Sequence, residues 1–208
     1  MSESPEAEAS ATGMATESRN DPGLVAQKRN QFIIVTGCSG GGKSSLLAEL
    51  RRRGFVTYGE PGRELVREQL EIGGDSMPWT NAERFLEITI SRSIKNLLEA
   101  AQSDRIAFFD RGIIDQLTGY EGLGKEIPAA LRTAAETFRY RETVFVVPPW
   151  EDIYVNDAQR RHSFADALAM YQTCVSTYEE FGYRLVTVPK MSVPARAEFV
   201  VRHLRPRY

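Results

Sequence analysis

Cysteine is scarce in this chain: Cys38 and Cys174 are its two cysteines, far apart in sequence and neither part of a CxxC pair. That scarcity excludes a disulfide framework, offers no thiolate zinc site, and leads us to expect a reducing, cytoplasmic location. No apolar run approaches the roughly 20 residues needed to cross a bilayer. Charge of one sign is not in excess either. With 26 Lys and Arg against 28 Asp and Glu, and a pI near 5.8, the sequence lacks the basic surplus of a general nucleic-acid or membrane-surface protein. Small anionic ligands remain compatible with that balance. Large apolar side chains are nearly missing from the start of the chain, which is rich in Ser, Ala, Glu and Thr. Such a segment cannot offset the entropy of ordering, so residues 1–30 are expected to form a disordered acidic tail. It lacks the basic start and apolar middle of a signal peptide, and Glu3, Glu6, Glu8 and Glu17 argue against a transit peptide. Residues 31–208 are expected to form one domain, because 42% apolar content fills one ample core at this length.

Short apolar runs at 32–36, 55–58, 106–109, 144–147 and 185–188 alternate with longer helical patterns. This alternation predicts an α/β fold with a parallel sheet, and near-continuous apolarity predicts strands covered on both faces. Leu86, Ile90, Ile94, Leu97, Leu98 and Ala101 fall at helical spacing, with Thr80 and Glu83 as a predicted capping box. A second stripe, Phe164, Leu168, Tyr171, Val175 and Tyr178, has Ser163 as predicted cap and Gly182 as terminator. Pro194, after Ser192, is placed to open a closing helix. No internal repeat is present.

The string GCSGGGKS, residues 37–44, follows the first apolar run directly and matches GxxxxGK[ST]. A loop that wraps a polyphosphate needs a strand to launch it, glycines to turn its amides inward, and a helix N-terminus facing the anion. Gly37, Gly40, Gly41 and Gly42 supply that backbone freedom. Lys43 supplies a point charge and Ser44 a hydroxyl for Mg²⁺. Cys38, Ser39 and Ser45 complete the candidate nucleotide-binding stretch, and the alternative is a glycine-rich turn that binds nothing.

Ligands of such sheets gather at the carboxyl ends of the strands. The third run ends in Asp110, followed by Arg111 and Gly112. Asp110 can hold Mg²⁺ or accept a proton, or can cap the helix that begins near Ile113. After the second run, Glu60 is a candidate base, or simply a first-turn partner of Arg63. After the fourth run come Pro148, Pro149 and Trp150, then a polar segment carrying Arg160 and Arg161. That segment can close as a small lid whose arginines neutralise a transferring phosphoryl group, Arg160 being the preferred catalytic candidate. A solvated charge run is the alternative, and His162 is read as exposed. Trp79, Trp150 and Tyr154 can stack on a base or serve as helix staples.

Taken together, FIIVTGCSGGGKSSLL, GEPGRELVREQ, GGDSMPW, FFDRGIID and VFVVPPWEDIYVNDAQRR resemble the AAA-domain group of P-loop proteins related to the nicotinamide riboside kinase domain of bacterial NAD regulators. The resemblance runs from Gln31 to about Leu204. It implies a three-layer P-loop kinase-type fold with strand order 2-3-1-4-5 and a lid bearing Arg160 and Arg161. It also implies a nucleotide at residues 37–45, an Asp110–Arg111 pair, and Glu60 on the acceptor side.

The leading functional expectation is an ATP- and Mg²⁺-dependent phosphotransferase acting on a small-molecule acceptor. The alternative is a nucleotide-binding switch or slow NTPase, using ATP or GTP, that engages a protein or lipid partner. The chain has no [NT]KxD after a late strand, which disfavours GTP specificity. It has neither an LSGGQ string nor an acid after Asp110, which disfavours an ATPase motor.

Overall fold

The computed structural model describes residues 21–37, 40–153 and 164–204. Five strands form one parallel sheet: β1 (Phe32–Gly37), β2 (Val56–Tyr58), β3 (Ala107–Asp110), β4 (Thr143–Val147) and β5 (Arg184–Thr187), in the order β2-β3-β1-β4-β5. The predicted runs and the order implied by the resemblance are both observed. The described helices are α1 (Pro22–Lys28), α2 (Lys43–Arg52), α3 (Pro61–Ile72), α4 (Ala82–Ala101), α5 (Ile113–Gly122), α6 (Ala129–Thr137), α7 (Phe164–Glu180) and α8 (Val193–Leu204). None of them is long and apolar enough to cross a membrane.

The two-residue period of a strand decides which core each side chain enters. Phe32 and Ile34 of β1, Ala107 and Phe109 of β3, and Val144 of β4 pack with Ile90 and Leu97 of α4, Leu117 of α5 and Tyr178 of α7. Their neighbours Ile33, Val35, Phe108, Phe145 and Val147 face the opposite layer, against Leu46 and Leu50 of α2 and Val200 of α8. Burial on both sides is why the central strands read as unbroken apolar runs. A third cluster, Leu65, Val66, Phe85, Leu86 and Tyr120, joins α3 to α4 and α5 beside the β2 end of the sheet.

Two expectations change. Within the expected tail of residues 1–30, Pro22–Lys28 is helical: Asp21 caps it by accepting from the Gly23 amide, and Val25 is wholly buried against the α4 side of the sheet. Leu24 packs against the same cluster, so two adjacent apolar side chains dock an otherwise polar stretch. The cap of α4 is Asn81, whose side chain accepts from the Arg84 amide, and not Thr80. Gly182, at φ 73°, follows the end of α7 as expected, whereas Ser163 lies outside the described residues.

Candidate functional site

The carboxyl ends of β1, β2 and β3 meet because the register aligns Val35 with Asp110 and Tyr58 with Phe109. Gly37 closes β1 at φ 115°, and a Cβ there would lie 2.2 Å from the Val147 carbonyl oxygen. Glycine is therefore dictated where the phosphate loop leaves the sheet. Gly40 and Gly42 also take positive φ, 79° and 78°, and Lys43 begins α2 directly after them. Left-handed glycines running into a helix N-terminus present successive amides to one point, the geometry that collects anions.

Gly40, Gly42, Lys43, Ser44 and Ser45 line a cavity of about 460 Å³, with Trp150, Met191 and Arg196 among its other walls. That volume suits a small organic ligand. Lys43 is buried, and its ammonium donates to the Gly37 carbonyl at 3.2 Å. Burial pushes its pKa down to about 8, the Arg111 charge adding to the shift while Asp110, Glu60 and Asp115 oppose it.

Asp110 is buried at the end of β3, and its Oδ1 has no hydrogen-bond partner among the described residues. Burial raises its pKa to about 6, against the pull of Lys43 and Arg111 and with help from Glu60. It does not cap α5, whose N-cap is Gly112. Glu60 precedes α3 and makes no capping bond. One carboxylate oxygen accepts from Arg63 Nε at 2.8 Å and the other from Arg111 Nε at 3.1 Å. Burial alone would raise the Glu60 pKa, but Arg111, Lys43 and Arg63 together hold it below the usual range. The first-turn pairing with Arg63 is thus real, and it coexists with a position beside the phosphate loop.

Arg111 has φ 68°, a positive value otherwise confined to glycines among the described residues. Its amide donates to the Val35 carbonyl at 3.1 Å, and the left-handed turn aims its guanidinium at Glu60 and at Asp115 Oδ1, also 3.1 Å away. A conformation costing on the order of 1–3 kcal/mol is retained where surrounding contacts over-determine it.

Asp115 was not singled out from the sequence, yet it is the hub behind the site. It accepts from the Thr36 hydroxyl of β1, from the Gly112 amide at 2.7 Å and from the Tyr178 hydroxyl of α7 at 2.5 Å. The Cys174 thiol approaches Oδ1 at 3.7 Å, and burial pushes that thiol up to about 12, so it is an inert packing group. An Asp-Arg-x-x-x-Asp string after a strand was the available signal. Arg196, on α8, had none, being remote in sequence from the loop whose Gly41 and Gly42 carbonyls it touches. Of the aromatic candidates Trp150 lines the cavity, and the described walls do not include Trp79. Cys38, Ser39, Tyr154, Arg160, Arg161 and His162 lie outside the described residues, and the expected lid lies there with them.

A parallel sheet of this order, with a GxxxxGKS loop at its first strand, defines a P-loop α/β protein of the nucleotide-kinase fold. A family model described as an AAA domain matches residues 32–196, and the chain belongs to that family. It is similar, at 34% identity over 112 residues, to a thymidylate kinase of Chlamydia felis; the match covers 46% of this chain. It spans about half the length of that curated relative, 53%. Among solved structures it is similar to a thymidylate kinase from Ehrlichia chaffeensis, with TM-score 0.52, 18% identity, and 83% and 97% of the two chains covered. The deoxyadenosine kinase from M. mycoides with bound dATP gives TM-score 0.50 at 18% identity, covering 83% and 98%. At that identity these two likenesses establish the fold.

Proposed function

We propose that this protein is an ATP- and Mg²⁺-dependent phosphotransferase acting on a small acceptor of the nucleoside or nucleotide class. The observation that carries the reading is the meeting of a phosphate loop with acids at neighbouring strand ends, Glu60 after β2 and Asp110 at the end of β3. The curated relative named as a thymidylate kinase supports the acceptor class. Residues 37–45, including Cys38 and Ser39, would hold the polyphosphate. Lys43 would neutralise charge between the outer phosphates, and a bound polyphosphate would restore the proton affinity that burial removes.

Asp110 and Ser44 are the residues that would hold Mg²⁺. The fit rests on the buried Asp110 oxygen without a hydrogen bond. Among the described residues no cluster of three or more His, Cys, Asp or Glu could enclose a metal. Such an ion would therefore share its coordination with phosphate oxygens, the usual habit of Mg²⁺. When bound it supplies positive charge to the phosphates.

Glu60, held ionised between two guanidiniums, would align the acceptor hydroxyl and receive its proton in the transfer step. Arg111 would place charge beside the transferred group. Arg160 and Arg161 would add charge from the segment beyond Trp150, which makes Arg160 a catalytic candidate too. None of the matched motifs reads out an acceptor, so nicotinamide riboside enters only as one acceptor to assay, and a cytoplasmic location suits a kinase of this class.

The test is acceptor-dependent phosphate transfer from ATP with Mg²⁺, across nucleosides, nucleoside monophosphates and nicotinamide riboside. We expect one acceptor class to raise ADP release above the buffer rate. We expect Lys43→Ala to lose nucleotide handling and Glu60→Gln to lose roughly 10²–10⁴-fold in transfer while still binding ATP. No transfer to any acceptor, combined with tight GTP binding, would instead select the switch.

A further inference from the structure

Arg196 lies in the first turn of α8 and is 2% exposed. Its Nη2 donates to the Gly41 carbonyl at 2.9 Å and its Nη1 to the Gly42 carbonyl at 3.5 Å. Nε has no hydrogen-bond partner among the described residues, and the guanidinium lies 5.9 Å from the centre of the Trp150 ring. None of these contacts is a carboxylate. Burial accordingly lowers the proton affinity of Arg196 from its ordinary value. Among the described residues this buried cation meets only neutral acceptors, an arrangement costly to the unliganded protein because no described carboxylate matches the desolvation.

The acceptors it has chosen give that cost a use. In a trans peptide the carbonyl and the following amide point in opposite directions. Fixing the Gly41 and Gly42 carbonyls against the guanidinium therefore fixes the amides of Gly42 and Lys43 on the side away from it. Glycines lack a Cβ to enforce that orientation themselves. The Gly42 carbonyl also accepts from the Leu46 amide at 3.2 Å, so the same peptide is tied into α2. The approach is close enough that a Cβ on Gly42 would lie 2.6 Å from Arg196 Nη1.

We propose that Arg196 is a positioning residue for the phosphate loop, holding the Gly41 and Gly42 peptides so that the Gly42 and Lys43 amides face a polyphosphate, whose charge in turn compensates the buried guanidinium. This deepens the nucleotide reading and rests on it. The affinity that Arg196 confers grows with the number of phosphates and is absent for an uncharged nucleoside.

The experiment measures thermal midpoints of the full chain with Mg²⁺ and adenosine, AMP, ADP or ATP, for wild type, Arg196→Met and Arg196→Lys. Arg196→Met keeps or raises the unliganded midpoint, loses about tenfold or more in apparent ATP affinity, loses less for ADP, and leaves adenosine unaffected. In steady-state transfer its KM for ATP rises by more than its kcat falls. Arg196→Lys keeps the charge without the fork and regains ATP affinity only in part. Full recovery by lysine, equal losses for ATP and adenosine, or a fall in the unliganded midpoint with the ATP response intact would each overturn the inference. A folded wild type that responds to no phosphate ligand removes the nucleotide reading as well. A wild type that responds, matched by an equal response of Arg196→Met, removes this inference alone.

Discussion

Asp115 is met by donors from β1, from the Gly112 turn before α5 and from α7, whereas Asp110, on the other side of Arg111 and Gly112, keeps one carboxylate oxygen without a hydrogen bond among the described residues. Both are buried and both lie within reach of the Arg111 charge. The difference separates two uses of a buried acid. A carboxylate saturated by its own protein binds elements together, here the strand that launches the phosphate loop and the helix that follows the segment of Arg160 and Arg161. A carboxylate left short of donors is held in readiness for something from outside, and its raised pKa is the cost of that readiness.

The largest effect that could break this contrast is Asp115→Ala. It strands the Thr36 and Tyr178 hydroxyls, the Gly112 amide and one end of Arg111, and should destabilise the fold by about 3–5 kcal/mol, read from urea midpoints. A loss under about 1 kcal/mol would show that the hub is dispensable.

Asp110→Asn should act in the opposite sense on stability while lowering transfer by roughly 100-fold or more. Asp110 has a folded pKa of about 6 against an ordinary 3.8, so it contributes stability that is present below about pH 4 and is lost as pH rises through 6. The variant's advantage in unliganded midpoint should therefore be absent near pH 4 and reach roughly 2–3 kcal/mol above pH 6. A constant advantage across that window would mean that Asp110 does not titrate in it.

Gly42→Ala is the smallest of these perturbations, about 1–2 kcal/mol for a left-handed alanine. Its methyl group also crowds Arg196, so the cost should shrink in an Arg196→Met background. A double-mutant cycle in unliganded protein measures that coupling, and additivity would detach the guanidinium from the loop.

The strands were legible because each is a short apolar run set between helical patterns; β1, β3 and β4 are buried on both faces, whereas the edge strands β2 and β5 are only partly buried and kept the pattern through their apolar residues alone. The phosphate loop was legible because its chemistry is local: strand, glycines, lysine and helix follow one another in the chain. Glu60 and Asp110 were found by a positional rule about strand ends, and the register places those ends together. Asp115 escaped because an acid in the first turn of a helix reads as an ordinary partner for the helix dipole. Its other partners, Thr36 and Tyr178, come from opposite ends of the domain. Arg196 escaped for the same reason, since only the sheet's topology brings α8 to the phosphate loop. The α1 helix escaped because composition averages over a window, and Leu24 and Val25 do not move that average.

That first helix has a practical consequence for anyone preparing the domain. The Lys28 ammonium donates to the Ala101 carbonyl at 2.9 Å, at the C-terminal end of α4, and pairs with Asp104 at 2.8 Å, while Val25 plugs the apolar layer beneath. A recombinant piece trimmed to begin at the first strand would uncover that layer and remove the Lys28 ammonium from the end of α4. Expression boundaries and cleavable tags therefore belong upstream of Asp21.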